Sequence, residues 1–308
     1  MRGRAQVHEH PISSVVGRGT NSRASVTSAP GPATPYRDPV DIAGIRGSPA
    51  LADTRWSIDI RTDDGRTLVR HAPQRLLRTA SLAKVFVFVE VADRLARGLL
   101  DPQQPVQRDR VAPVADSGLW RHLASPELPL VDVACLVGAV SDDWATNALV
   151  GMASVRARAA ALAPGGSTLH DLVRDDRGPD DPPTLSEGCA GDWAALFAGL
   201  ATGAVVCPQV SRTVLAWLAA GVDLSMVASA LVLDPLAHDA PDRGVRLWNK
   251  TGTDSSVRAD AGVVRGPAGE VAYAAICNWE RGDDRLRGAV MAAMRDLGES
   301  VARLVGAP

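Results

Sequence analysis

Strand-like segments lie near both ends of this 308-residue chain, and helix-like segments occupy most of the sequence between them. Strands near both termini can join one antiparallel sheet, and the helices between them then form a second lobe. The order therefore predicts a two-lobed α+β fold with a cleft between the lobes, where a site would lie. The strand patterns cover residues 56–60, 66–70, 245–248, 257–264 and 270–279.

Composition divides the chain into a tail and one domain. Residues 1–50 are rich in Ser, Gly, Pro, Arg and Thr and lack hydrophobic periodicity, so we predict a disordered segment there. Residues 51–308 form the predicted domain. Its sheet lobe comprises about 51–80 and 241–308, and its helical lobe about 81–240. The predicted helices are 81–100, 130–140, 143–150, 153–162, 190–201, 208–220 and 283–304.

Several classes of function are disfavoured by composition. The net charge of −2 gives no sign of a nucleic-acid or anionic-membrane partner. We expect no membrane span, because no apolar run reaches about 18 residues. The four cysteines and six histidines show no metal-ligand spacing, so we expect buried free thiols and no metal or cofactor. No secretory signal is recognisable, which predicts a cytoplasmic protein unless the true start lies elsewhere. Oligomeric state stays open.

Lysine is nearly absent from the chain. Of 33 basic residues, 31 are arginines, and the two lysines are Lys84 and Lys250. Codon bias explains the excess of arginine wherever only a positive charge is needed. A desolvated lysine can lose its proton and act as a base, whereas arginine keeps its proton. Both lysines are therefore candidates for chemistry.

Lys84 follows Ser81 by one helical turn, in the most apolar segment of the chain. A serine at a helix start is ordinarily a cap. Here the spacing also puts an amine beside the hydroxyl, and an apolar surrounding lowers the pKa of a lysine. The helix N-terminus adds a positive field where an oxyanion would form. Together these features indicate an activated serine nucleophile.

Two further motifs follow in order. Ser141-Asp142-Asp143 lies between two predicted helices and is, taken alone, an ordinary capping segment. Lys250-Thr251-Gly252-Thr253 lies at the predicted end of a strand. Its lysine and threonines can bind a carboxylate, and its glycine lets a substrate backbone come close.

The set S-x-x-K, S-D-x and K-T-G resembles the signature of class A β-lactamases and penicillin-binding proteins. Three further segments resemble parts of that family: Asp116–Leu119, Ser141–Leu149 and Lys250–Val264. The resemblance covers about residues 52–308. It implies a serine hydrolase that forms an acyl-enzyme with β-lactam, amide or ester substrates, which are small molecules or peptides. The alternatives are a slow penicillin-binding acylase or esterase, a D-Ala-D-Ala peptidase-like enzyme, and a non-catalytic binding protein.

The resemblance also implies the roles of single residues. Ser81 attacks, Lys84 accepts its proton directly or through water, Ser141 protonates the leaving nitrogen, and Lys250 holds Ser141 and the substrate carboxylate. The remaining implied site residues are Asp143, Thr251, Gly252, Thr253 and Arg258, the last as a second carboxylate contact. The N–H groups of Ser81 and Thr253 would form the oxyanion hole.

The sequence departs from the family at two places. Asp143 stands where the family has asparagine, and an ionised carboxylate cannot donate a hydrogen bond to a substrate carbonyl; an aspartate could still support the base lysine. The glutamate motif of the deacylation loop is missing from about 170–187. That stretch offers Asp171, Asp175, Asp176, Asp180, Asp181 and Glu187 instead. We therefore expect slow turnover of an acyl-enzyme.

Overall fold

The structure, a computed structural model, describes residues 42–150, 154–237 and 240–308. Most of the N-terminal segment predicted to be disordered, residues 1–41, lies outside the described residues. Inside that predicted segment, the described part contains a short helix, Ala43–Gly47.

The described chain contains a large sheet and several helices, with 3₁₀ turns at Pro49–Leu51, Ala80–Ala83, Arg108–Arg110, Trp120–His122 and Val227–Leu231. The strands are β1 (Arg55–Thr62), β2 (Thr67–His71), β3 (Leu77–Arg78), β4 (Pro105–Gln107), β5 (Glu127–Pro129), β6 (Thr168–Leu169), β7 (Ser186–Gly188), β8 (Arg246–Asp254), β9 (Val257–Gly266) and β10 (Gly269–Asn278). The helices are α1 (Ala43–Gly47), α2 (Lys84–Ala96), α3 (Leu130–Val140), α4 (Asp143–Val150), α5 (Val155–Leu162), α6 (Ala190–Thr202), α7 (Pro208–Ala219) and α8 (Leu286–Val305).

The main sheet confirms the predicted α+β architecture. Its five antiparallel strands follow the order β2-β1-β10-β9-β8, so both ends of the chain contribute. Strands β9 and β10 are buried along nearly their whole length, with α6 and α8 packed against them. This double cover explains why both strands read as nearly continuous apolar runs rather than as a strict alternation.

Helix α2 is the centre of the helical lobe. Its residues from Lys84 to Asp93 are all buried, as expected for a helix that is apolar nearly all round. Phe86 lies 4.7 Å from Trp193 and Phe88 lies 5.5 Å from Trp217, measured between ring centroids. These contacts tie α2 to α6 and α7. No helix in the described part of the chain is long and apolar enough to cross a membrane.

Two details correct the sequence-based expectations. The α-helix begins at Lys84, and Ser81 lies in the preceding 3₁₀ turn rather than at the α-helical start. Strand β8 continues past Lys250 to Asp254, so the K-T-G motif is inside a strand and not at its end. A third concerns the cysteines, all of which are unpaired: Cys189 and Cys277 are buried as predicted, but Cys135 is exposed.

The sequence pattern did not predict two small sheets. One joins β3, β7 and β6, and the other joins β4 and β5. Strands of two or three residues are too short to show an alternation. The first of these sheets matters for the site, because β3 leads directly into the turn that carries Ser81.

Candidate active site

Ser81 is positioned by its neighbours in the 3₁₀ turn and by β7. Ala80 has a positive φ of 46°, a conformation that costs a non-glycine residue about 1 kcal/mol. The Ser186 hydroxyl donates to the carbonyl of Ala80 at 2.7 Å and lies 2.8 Å from the Thr79 hydroxyl. The backbone just before Ser81 is therefore held in a strained shape by buried hydrogen bonds.

Gly252 sets the distance between this turn and β8. A Cβ at this position would lie 2.0 Å from the Thr79 carbonyl oxygen and 2.9 Å from the Leu82 nitrogen. The sequence led us to expect that Gly252 admits a substrate backbone. In the structure the chain segment that fills this space is the protein's own turn around Ser81, which only glycine allows to come so close.

Lys84 is completely buried and points at the segment between α3 and α4. Its Nζ donates to the Ser141 carbonyl at 2.6 Å, the Ser141 hydroxyl at 3.2 Å and an Asp143 carboxylate oxygen at 2.6 Å. Burial lowers the pKa of Lys84, and the nearby Asp143 carboxylate opposes that shift without cancelling it. A lowered pKa makes the neutral amine, which can accept a proton, easier to reach.

The Ser141 hydroxyl lies between the two lysines of the chain. Lys250 Nζ donates to it at 3.0 Å, and also to the Thr251 carbonyl at 2.8 Å. Ser141 itself adopts the left-handed conformation, with φ of 57°, at the end of α3. Burial, reinforced by the positive charge of Lys84, lowers the pKa of Lys250 to about 7. The Lys250 amine can therefore change protonation state near neutral pH.

Asp143 is turned toward the base lysine. One carboxylate oxygen accepts from Lys84, and the other accepts from the Ser117 backbone N–H at 3.0 Å. The side chain is only 2% exposed. These contacts match one of the two roles considered for an aspartate at this position, which is support of the base lysine.

Asp142, for which no separate role was predicted, builds the corner that holds Ser141 and Asp143. Its carboxylate accepts from the N–H groups of Leu119 and Trp120, both at 2.7 Å, and of Ala145 at 2.8 Å. The last of these contacts is an ordinary helix cap for α4. The signal was present in the sequence, because an aspartate directly before a helical run is a typical capping residue.

These residues open onto a cleft of about 330 Å³. Among the predicted site residues, the lining includes Ser81, Ser141, Asp143, Lys250, Thr251 and Thr253. Lys84 and Gly252 lie beneath this surface. Asp116, the first residue of the family-like segment Asp116–Leu119, also lines the cleft, as does Asp223, to which no sequence motif pointed.

Asp223 contacts the K-T-G motif directly. Its carboxylate accepts from the Thr251 hydroxyl at 2.6 Å, from the Ser225 hydroxyl at 2.6 Å and from the Ser225 N–H at 3.1 Å. Burial acts to raise the pKa of Asp223, but the hydrogen bonds from Ser225 and Thr251 outweigh it and the pKa is lowered. Asp223 is therefore ionised at neutral pH.

Arg258 is the one predicted site residue that the structure leaves apart from the cleft lining. Its guanidinium donates to the carbonyls of Asp254 and Val257 at 2.8 and 2.7 Å. It also lies 5.8 Å from the Trp279 ring centroid. With these partners the guanidinium supports the turn between β8 and β9.

A second cavity, of about 480 Å³, adjoins Ser81 on the side of residues 170–187. Among the six loop carboxylates, Asp175 is the one that lines it, with its carboxylate accepting from the Ala115 N–H at 2.9 Å. Asp171 is bound by Arg174 and Arg177, and despite its partial burial these arginines lower its pKa to about 2. Glu187 lies 3.3 Å from a His170 ring nitrogen.

No metal centre is formed by the residues that the structure describes: no group of three or more His, Cys, Asp or Glu side chains lies close enough together to hold an ion. The chemistry available here is that of two lysines, two serines and carboxylates.

Comparison with known proteins places this geometry in a context. The family described as the beta-lactamase enzyme family matches residues 51–303. No curated protein sequence matches the chain.

Three solved structures illustrate the shared fold. A β-lactamase from Sphaerobacter thermophilus is 23% identical, with 86% of this chain and 94% of that chain covered and a TM-score of 0.71. A β-lactamase from Xanthomonas campestris pv. campestris is 17% identical, with coverages of 82% and 92% and a TM-score of 0.66. A PBP-A mutant solved as an acyl-enzyme complex with penicillin-G is 19% identical, with coverages of 82% and 90% and a TM-score of 0.65.

Proposed function

The chain belongs to the beta-lactamase enzyme family, and on that premise we propose that it acylates Ser81 with β-lactam, amide or ester substrates and releases the acyl group slowly. It is a serine β-lactamase-like hydrolase. The observation that carries the assignment of residues is the Ser141 hydroxyl, which lies 3.2 Å from Lys84 Nζ and 3.0 Å from Lys250 Nζ beside the cleft that contains Ser81.

Acylation begins with attack of the Ser81 oxygen on the acyl carbonyl. The serine proton passes to Lys84 as its neutral amine, a form that burial favours. The N–H groups of Ser81 and Thr253, two residues that line the cleft, donate to the developing oxyanion. Asp143 holds the Lys84 amine in place at 2.6 Å.

Collapse of the tetrahedral intermediate breaks the bond to the leaving group. Ser141 gives its proton to the leaving nitrogen or oxygen, and the ammonium of Lys84 or Lys250 returns a proton to Ser141 across distances of 3.2 and 3.0 Å. Arg258 has no part in this proposal, because it does not line the cleft and one of its guanidinium nitrogens donates to two backbone carbonyls of the β8–β9 turn.

Deacylation depends on the residues 170–187 beside Ser81, which are less well arranged for catalysis than the acylation residues. A water must attack the ester with help from a base, and the carboxylates of 170–187 are poorly placed or bound by arginines. The slow penicillin-binding acylase or esterase differs from a true β-lactamase only in this step. We therefore propose acylation faster than deacylation, with better turnover of small esters than of β-lactams.

Mass spectrometry tests the nucleophile. Intact protein incubated with a penicillin should gain one acyl group, and peptide mapping should place it on Ser81. Ser81→Ala should stay unmodified under the same conditions. An adduct on Ser141, or on any residue other than Ser81, would contradict the assignment, as would no adduct from either a penicillin or an activated ester.

Stopped-flow kinetics with a chromogenic cephalosporin test the slow second step. We expect a burst equal to the enzyme concentration, followed by a much slower steady rate. A steady rate in the usual enzyme range of about 1–10³ per second without a burst would mean that a carboxylate of the loop supplies an efficient base.

A further inference from the structure

The cleft next to Ser81 carries an unusual charge for a site expected to hold a substrate carboxylate. Its lining residues, within the described part of the chain, include one cation, Lys250, and three carboxylates, Asp116, Asp143 and Asp223. Asp143 is neutralised by Lys84 at 2.6 Å. Lys250 then faces two unpaired negative charges, those of Asp116 and Asp223, so the cleft is on balance negative.

The Thr251 hydroxyl is already used. A threonine has a single hydroxyl proton to donate, and here it goes to the Asp223 carboxylate at 2.6 Å. A substrate carboxylate in the same place would find no donor on Thr251 and would lie against an ionised group. Like charges that close are strongly unfavourable in a partly desolvated cleft.

The position of Asp223 defines which part of the substrate it meets. Ser141, which protonates the leaving group in the proposed function, shares Lys250 with Thr251: Lys250 Nζ contacts the Ser141 hydroxyl at 3.0 Å and the Thr251 carbonyl at 2.8 Å. Asp223 lines the cleft together with Ser141 and Thr251, and it does not line the second cavity beside residues 170–187. Its charge therefore acts mainly on the leaving group, which departs next to Ser141 in the proposed function.

We infer that Asp223 is a specificity-determining residue and that the site takes esters or amides whose leaving group carries a positive charge, such as amino alcohols or diamines. This inference rests on the proposed function, because it needs Ser81 to be acylated. Ser225 contributes by holding the Asp223 carboxylate with its hydroxyl and its N–H at 2.6 and 3.1 Å.

Three thioesters with the same acetyl group isolate this effect. They are acetylthiocholine, its uncharged tert-butyl analogue, and the thioacetate of mercaptopropionic acid. In each reaction the Ser81 oxygen bonds to the acetyl carbon, the C–S bond breaks, and the thiol leaves with a proton, from Ser141 in our proposal. Water then releases acetate from the same acetyl-enzyme. Only acylation can differ among the three substrates.

The measurement is kcat/KM from thiol release, divided by the hydroxide-catalysed rate of each thioester. We expect the cationic thioester to exceed the anionic one by at least about tenfold, and the ratio to fall as ionic strength rises. Asp223→Asn should reduce this ratio, and Asp223→Arg should reverse it. Glu299→Gln removes one surface carboxylate of α8 and should leave the ratio unchanged.

Two different failures can be told apart. If acid-quenched intact mass shows acetylation of Ser81 but the three thioesters react within about twofold of one another, the proposed function stands and this inference is wrong. An unchanged ratio in Asp223→Asn has the same meaning. If a penicillin acylates Ser81 but none of the thioesters does, the proposed function stands and this inference is wrong. If neither a penicillin nor any of the thioesters acylates Ser81, the proposed function itself falls, and this inference falls with it.

Discussion

The wall of the cleft formed by α2, the α3–α4 corner and β8 is buried and connected by hydrogen bonds. In the wall of the second cavity formed by residues 170–187, by contrast, only Thr184 and Ser186 are buried. On the first wall, Lys84 and Asp143 are 0% and 2% exposed and lie 2.6 Å apart. On the second, carboxylates lie at the surface or are bound by arginines. A preorganised wall favours one chemical step without any reorganisation. This difference indicates that the structure is better organised for acylation than for deacylation.

On the buried wall, replacement of the proposed base, Lys84, should cause the largest loss of acylation rate. Lys84→Arg keeps a positive charge but removes the buried amine that accepts the Ser81 proton in the proposed function. We expect the acylation rate to fall by about 10³, within the range that general-base catalysis supplies. Stopped-flow acylation by an activated ester measures it, and an unchanged thermal melting temperature shows that the fold persists. Retention of more than about a tenth of the rate would show that charge alone suffices.

A second change disturbs the same wall without touching a reacting group. Gly252→Ala would force the Thr79 carbonyl, 2.0 Å from the new Cβ, and the turn carrying Ser81 away from β8. Misplacement of a reacting atom by about 1 Å can cost about 10²-fold, so we expect a fall of that size in acylation.

The matched control for this variant is Gly288→Ala in α8, where no atom lies within 4 Å of the new Cβ. It should leave acylation unchanged. Equal rates for Gly252→Ala and Gly288→Ala would mean that the close approach of β8 does not position Ser81.

The exposed wall should respond more weakly. Asp175 lines the second cavity with Ser81, and Asp176 is its exposed neighbour. We expect Asp175→Asn to slow deacylation by less than about tenfold, because a true general base contributes about 10²–10⁴. Single-turnover decay of the acetyl-enzyme measures it, with Asp176→Asn as the control. A fall of 10² or more in Asp175→Asn would abolish the contrast between the walls.

The smallest expected change is a shift in the pH dependence of acylation. Acylation should increase with pH as Lys84 loses its proton, and the carboxylate of Asp143 raises the pKa of Lys84 against the larger effect of burial. Asp143→Asn removes that carboxylate, so the pKa of Lys84 falls and the rising limb moves to lower pH. The pH profile of kcat/KM tests the direction, and a move to higher pH would contradict a base role for Lys84.

Sequence patterns predicted the elements whose hydrophobic spacing repeats over many residues. The bounds of α3 and α4, Leu130–Val140 and Asp143–Val150, agree with the predicted 130–140 and 143–150. Amphipathic spacing persists through these segments, so the pattern is read many times over. The order of the three motifs likewise located the cleft residues, apart from Arg258, whose guanidinium went to backbone carbonyls.

The sequence could not predict features that depend on distant contacts. Asp223 meets Thr251 across 28 positions, and no spacing rule connects them. The positive φ of Ala80 is imposed by hydrogen bonds from β7, more than 100 positions away. The direction of the Asp143 side chain depends on Lys84 and Ser117, so the sequence could state both of its possible roles but not choose between them.

The burial of both lysines gives the molecule a built-in reporter of unfolding. Lys84 is 0% and Lys250 4% exposed, and the chain has no other side-chain amine. Lys250 lines the cleft, whereas an amine-reactive dye can reach Lys84 only when the cleft opens or the domain unfolds. The rate at which the dye appears at position 84 measures that opening in the native protein. Coupling the protein to a surface through its lysines would select unfolded molecules, so immobilisation needs a different chemistry.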